Sequence, residues 1–219
     1  MNKENILSKI GKMSEEELID LACNTPDVEI LNILAENANY EVRCKVAENM
    51  NTPVELLAVL AKDINLGVRA SVAWNNNTPV ETLVMLASAK DCCVRCKVAA
   101  NENTSIEVLA MLAQDEDYWV RCTVAGNINT SIELLSVLAK DKFWKVRLEV
   151  VGNKNAPADV LAELAKDVDI DVRYAVAENK NTSVETLVFL SKDNNEWVRE
   201  AANEAFKERK EKGRTNIER

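Results

Sequence analysis

The chain contains no histidine, only five glycines and four prolines, and no run approaching the roughly twenty uncharged apolar residues that a membrane-spanning helix needs. Each absence excludes something. Without histidine the Ser–His and Cys–His nucleophile pairs and the commonest general base are gone, and with them the main routes to an enzyme. So few glycines and prolines argue against a sheet joined by many tight turns. The abundance of Leu, Ala, Val, Glu, Lys and Asn instead predicts an all-α chain. The first residues, MNKENILSKIGKMSEEELID, scatter charges where a targeting segment would have an apolar centre, so a cytoplasmic location is expected and no membrane contact.

An excess of positive charge is also missing. The formal net charge is −9, which opposes nonspecific attraction to phosphate backbones. The visible basic cluster, Lys207 to Lys212, is interleaved with Glu208 and Glu211 and reads as a solvated helix end. Six cysteines (Cys23, Cys44, Cys92, Cys93, Cys96 and Cys122) fit a reducing compartment, where they serve more often as small buried residues than as a disulfide framework.

What is present is a repeat. Val-Arg recurs at 42–43, 68–69, 94–95, 120–121, 146–147, 172–173 and 198–199, always 26 residues apart. A second ladder runs in phase with it: Asn51-Thr52-Pro53, Asn77-Thr78-Pro79, Asn103-Thr104-Ser105, Asn129-Thr130-Ser131, Asn155-Ala156-Pro157 and Asn181-Thr182-Ser183. In the unit that begins at Thr52, Thr52 is placed as N-cap, Pro53 as the first helical residue and Glu55 as the capping-box partner. Val54, Leu57, Leu60 and Ala61 then share one face of a helix of about ten residues. A break at Lys62 to Asn65 opens a shorter second helix with Val68 and Val72 inward. That helix ends at Asn75, a residue type tolerant of a left-handed C-cap. One helix pair cannot bury its own apolar face, so the units must stack.

The expected fold is therefore an all-α, right-handed α-solenoid of about seven 26-residue two-helix repeats with terminal capping helices. Residues 1–23 are expected to form N-terminal capping helices, with a Ser14–Glu17 capping box. Residues 24–199 are read as the tandem repeats, and 200–219 as a C-terminal capping helix with a frayed tail from 212. The pattern departs from regularity at Asp27, an added residue, at Ala156, which removes an N-cap hydroxyl, and at Ala89, which replaces the turn aspartate and marks an expected irregular turn.

The unit Asn-x-Asn-Thr-Pro/Ser-x-Glu-Leu-Leu-x-x-Leu-Ala-Lys-Asp, followed by Val-Arg-x-x-Val-Ala-x-Asn, resembles the leucine-rich repeat variant family over residues 24 to about 200. It is also similar to HEAT-like repeats. The resemblance implies a curved superhelix with one layer of longer and one of shorter, partly 3₁₀ helices, used mainly to bind macromolecules.

Four sets of residues are candidates for chemistry. The arginines from Arg43 to Arg199 could form an anion track, but Asp63, Asp115, Asp141, Asp167 and Asp193 each precede an arginine by six residues, so an internal Asp–Arg ladder is the better reading. Asn49, Asn75, Asn101, Asn127, Asn153 and Asn179 could read nucleobases, but helix termination explains them first. Cys93 and Cys96 have a C-x₂-C spacing, with Cys92 and Cys122 nearby in the repeat. Cys44, Cys96 and Cys122 share one repeat position with Ala70, which suggests a small packing slot, so no metal or other cofactor is expected.

The aromatics have the least structural excuse. Tyr40, Tyr118, Trp119, Phe143, Trp144 and Trp197 precede or abut Val-Arg and are placed in inter-helix turns. Stacking would bring Tyr118, Trp119, Phe143 and Trp144 together on one rim as interface anchors, and Trp74 joins them as a candidate. A second row, Ile33, Val59, Met85, Met111, Val137, Glu163 and Phe189, would offer a groove for a partner helix. The expectation is a non-enzymatic scaffold for a protein or peptide partner. The alternatives are a nucleic-acid-binding or base-excising HEAT-like protein, which the charge opposes, and a metal-bearing redox scaffold.

Overall fold

A computed structural model describes the backbone of residues 3–215 and the side chains of residues 5–210. Among the described residues there are sixteen helices and no strand. After α1 (Lys3–Ile10) and α2 (Glu15–Asn24), seven-residue first helices alternate with nine-residue second helices. The first helices are α3 (Val28–Leu34), α5 (Val54–Leu60), α7 (Val80–Leu86), α9 (Ile106–Leu112), α11 (Ile132–Leu138), α13 (Ala158–Leu164) and α15 (Val184–Leu190). The second helices are α4 (Tyr40–Glu48), α6 (Leu66–Trp74), α8 (Cys92–Ala100), α10 (Tyr118–Gly126), α12 (Trp144–Gly152) and α14 (Ile170–Glu178), with α16 (Glu196–Thr215) extended to 20 residues. The first helix is thus the shorter of the pair, contrary to the expected ten residues, because the chain turns at Ala61, where Lys62 and Asp63 donate to the carbonyls of Val59 and Leu60.

The chain forms two compact units, residues 1–112 and 113–219. In the first, α4 packs on α2, α6 on α4 and α8 on α6; in the second, α12 packs on α10, α14 on α12, and α16 on α14 and α15. The core is the repeated leucine and valine set. Leu57, Leu83 and Leu109 with Val68, Val72, Val94 and Val98 are fully buried in the first unit, as are Leu135, Leu161 and Leu187 with Val120, Val146, Val172 and Val198 in the second. Val54 is a correction: it is 44% exposed and Leu56 is buried instead. As the first helical residue, Val54 points its side chain back past the helix N-terminus, beyond the core.

Capping also differs from expectation. Pro53 itself is the N-cap, in extended conformation and without a side-chain cap, so Glu55 falls one residue short of a capping-box position. The threonine hydroxyls point the other way. Thr78 and Thr182 donate to the carbonyls of Val72 and Val176 at 2.6 Å, and Thr52 does the same to Val46, sealing the end of the preceding helix. Where serine follows the threonine it does cap: Ser131 and Ser183 accept from the amides of Leu134 and Thr186 at 3.2 and 3.1 Å. The Ser14–Glu17 box is present as expected, and Asp27 caps α3 through the amide of Glu29.

The junction asparagines do terminate helices, but none of the described residues has positive φ. Asn49 sits at φ −68°, ψ 125°. Its fitness lies in its amide. Asn75 Nδ2 donates to the carbonyls of Ala47 and Asn49 at 2.8 and 3.1 Å, and Asn101 to those of Ala73 and Asn75 at 2.8 and 3.0 Å. In the second unit Asn153 does the same to Ala125 and Asn127 at 2.7 and 2.9 Å. The side-chain oxygens of Asn75, Asn101 and Asn153 accept from the amides two residues on. Each buried asparagine therefore stitches one repeat to the one before it.

The turn at Ala89 is regular, since its amide donates to Leu86 O at 3.0 Å as Asp63 does to Leu60 O. At the C-terminus Ala202 fills the inward valine position, fully buried. The tail expected to fray from 212 is helical through Thr215, and residues 216–219 lie outside the described residues.

Candidate interaction surface

The arginine ladder is internal. Arg43, Arg121, Arg147 and Arg173 each grip an aspartate of the next repeat, Asp63, Asp141, Asp167 and Asp193, through Nε at 2.5–2.7 Å and Nη2 at 2.7–3.0 Å. The third donor, Nη1, holds the carbonyl six residues upstream, as Arg69 holds Asp63 O at 2.8 Å. A fork engaged on both sides is no anion track. All four aspartates lie below the ordinary carboxylate range. The Arg43 and Arg173 hydrogen bonds are the main cause for Asp63 and Asp193. For Asp141 and Asp167 burial pushes upward and is outweighed by Arg121 and Arg147 together with the amides of Phe143 and Asp169. Arg69 faces Ala89 in place of an aspartate and makes no ion pair among the described residues.

Glutamates at the repeat position of Glu55 are drawn to their own helix starts. Glu107, Glu133 and Glu185 lie below the usual carboxylate range because of their own backbone amides and the hydroxyls of Ser105, Ser131 and Ser183.

The cysteines at one repeat position are half-buried at Cys44 and Cys96 and buried at Cys122. Burial raises the Cys44 thiol and pushes Cys122 up to about 11, which disfavours the reactive thiolate at both positions. Elsewhere Asp91, Cys92 and Cys93 bring three ligand atoms within 4.8 Å of one another, and Cys96 is not part of that trio. Three ligands with one exposed do not make a closed zinc site.

The aromatics fall in the first turn of the second helices, with Phe143 as the N-cap of α12, rather than in the inter-helix turns. The reason is the shift in helix register: α10 begins at Tyr118 because Asp117 caps it, accepting from Trp119 N at 2.8 Å. Three of the four rings expected together are in contact, Trp144 making no ring–ring contact among the described residues. Tyr118 stacks on Phe143 with centroids 4.8 Å apart and ring planes 13° apart, and meets Trp119 at 4.8 Å. Lys145 reaches over this group, its Nζ 5.1 Å from the Trp119 ring, 5.7 Å from Trp144 and 6.0 Å from Tyr118. Trp119 is 53% exposed, while Tyr118 and Trp144 are half-buried.

The other candidates have their own surroundings. Trp74, at the end of α6, is exposed and covered by Lys97 Nζ at 4.4 Å, beside a cavity of about 380 Å³ that Glu48 and Ser71 also line. Tyr40 is exposed at the start of α4. In the first-helix row, Val59, Met85 and Met111 are exposed on the first unit, and Val137 and Phe189 on the second. Trp197 is the most exposed tryptophan, at 68%, and borders a groove of about 550 Å³ between α14 and α16.

Sequence reasoning missed that groove. Its signal was legible, because Ile170, Tyr174 and Glu178 recur at helical spacing, as do Trp197, Ala201 and Ala205, so each trio marks one helix face.

Among the described residues no helix is long and apolar enough to cross a membrane. The fold defines a helical repeat protein. Within that class the chain is similar to a solved leucine-rich repeat variant with a novel repetitive structural motif: 28% identity, TM-score 0.70, over 93% of this chain and 82% of that one. An engineered protein of solved structure also aligns, at 17% identity and TM-score 0.42 over 94% of this chain and 78% of that one, too distant to carry an argument. No family model matches the sequence, and neither does any curated protein.

Proposed function

We propose that the chain is a non-enzymatic scaffold that binds a protein or peptide partner on the exposed face of its second helices. The observation that carries this reading is the cluster of Tyr118, Trp119 and Phe143 on the second unit, with Tyr118 stacked on Phe143 and in tilted contact with Trp119, and with Trp119 half in solvent. Rings held by one another lose little side-chain freedom on binding, which is what makes aromatic anchors effective at interfaces. The absence of histidine and the engagement of the ladder aspartates by arginine support a non-catalytic role. The net charge of −9 favours protein over nucleic acid.

The test is capture of a partner by the intact protein and by the Trp119→Ala, Trp144→Ala variant, followed by direct titration of the purified partner. The expected result is at least a tenfold loss of affinity in the variant with unchanged helical content. Equal affinity of both forms, or recovery of nucleic acid alone, overturns the reading.

A further inference from the structure

The fold places a lysine over an exposed tryptophan twice. Lys97 Nζ lies 4.4 Å from the Trp74 ring and Lys145 Nζ 5.1 Å from Trp119. One further tryptophan occupies the same register: Trp197 stands three repeats after Trp119, at the start of α16. No lysine or arginine covers its ring among the described residues. Asp171, one repeat before Trp197, lies on the facing helix α14 and lines the same groove.

Around Trp197 the chemistry is of one sign. The α14–α16 groove of about 550 Å³ is within the size range of ligand and peptide sites. Among the described residues its walls carry Asp171, Glu178, Glu200, Glu204 and Glu208 and no cation. Glu178 accepts from the Tyr174 hydroxyl at 2.9 Å, whereas Asp171, Glu200 and Glu204 form no ion pair among the described residues. Its apolar lining is Ile170, Ala201 and Ala205. At Trp74 and Trp119 the chain itself supplies an ammonium to the indole; at Trp197 it supplies an indole and several carboxylates.

We infer that the α14–α16 groove docks a lysine-bearing segment of a protein partner, with one ammonium over the Trp197 ring and its neighbours paired to Glu200, Glu204 and Asp171. Carboxylates beside an aromatic face both attract a cation and hold it where the ring quadrupole is felt. The inference rests on the scaffold reading but not on the Tyr118–Trp119 cluster.

The probe is a fluorescent peptide of alternating lysine and alanine, with the same peptide carrying glutamine for lysine as reference. It is titrated against the intact chain, Trp197→Leu, Glu200→Gln with Glu204→Gln, and a charge-matched control, Glu15→Gln with Glu16→Gln, whose sites are exposed on α2. Expected are binding of the lysine peptide only, weakening as salt rises, at least a tenfold loss for either groove variant, and none for the control. Failure of the lysine peptide to bind at low salt, equal binding of the glutamine peptide, or an equal loss in the control overturns the inference. Partner capture through Trp119 and Trp144 is a separate readout, so either proposal can fail while the other stands.

Discussion

Threonine and asparagine at the repeat junctions act through what their side chains reach one helix or one repeat away. Thr78 Oγ1 closes the carbonyl of Val72 inside the protein, and the same position holds Ala156, buried, in one repeat. Restoring the hydroxyl with Ala156→Thr is expected to stabilise the chain by about 1 kcal/mol, read as a rise of roughly 2–4 °C in Tm. Thr78→Val should lower stability by about 1–2 kcal/mol, because it leaves a buried carbonyl short of a partner. Cysteine reactivity follows burial: exposed Cys23 and Cys93 should alkylate first. Cys122, buried and with its thiol pushed up to about 11, should react only on unfolding, as mass spectrometry after timed iodoacetamide exposure would show. Modification of Cys122 at the rate of Cys93 in the folded protein would contradict the buried placement.

Between elements, the arginine forks make the second helix of one repeat depend on the turn of the next. Asp167, gripped at 2.5 and 2.7 Å by Arg147, is expected to cost about 2 kcal/mol when replaced by asparagine, since a charged hydrogen bond is lost and Arg147 is left without its partner. Ala89→Asp should do the reverse. The Arg69 guanidinium is already held by Asp63 O and Ile64 O, so the new carboxylate meets a pre-oriented fork and should add about 1 kcal/mol in urea unfolding. These carboxylates also set an acid limit. Their folded pKa values are lowered, so their contribution is complete above the unfolded carboxylate value of about 3.9 and is lost as pH falls through the folded values. The urea midpoint should therefore drop steeply below about pH 4, and the drop should be smaller in Asp167→Asn.

At this scale the sequence was only partly legible. Both ladders were visible as a 26-residue period, but Asn-Thr-Pro is compatible with capping the helix ahead and with sealing the helix behind. Which of these happens depends on the partner, and Val46 O is six residues back while Ala47 O is 28 residues from Asn75. The aspartates were paired in sequence with the arginine six residues later. In space their carboxylates bind the arginine 20 residues earlier, and only the backbone contact follows the sequence pairing.

For the molecule as a whole, charge is distributed with a purpose that composition alone does not reveal. A net charge of −9 is a sum. The structure sorts it into carboxylates spent on internal forks, such as Asp141 and Asp167, and carboxylates gathered around the α14–α16 groove. The aromatic candidates divide likewise. Tyr118 meets Trp119 and Phe143, and Trp144 shares only Lys145 with them among the described residues, whereas Trp74 is covered by its own lysine and Trp197 lines the α14–α16 groove.

By itself the sequence determined the all-helical class, the repeat length, the leucine and valine core and the stacking requirement, because these follow from periodicity and from the need to bury an apolar face. Only the tertiary structure decided where each helix begins, which carbonyl each junction residue serves, which aspartate each arginine grips and where exposed rings meet charge. Those outcomes depend on groups brought together from neighbouring repeats, and no local pattern encodes the distance between them.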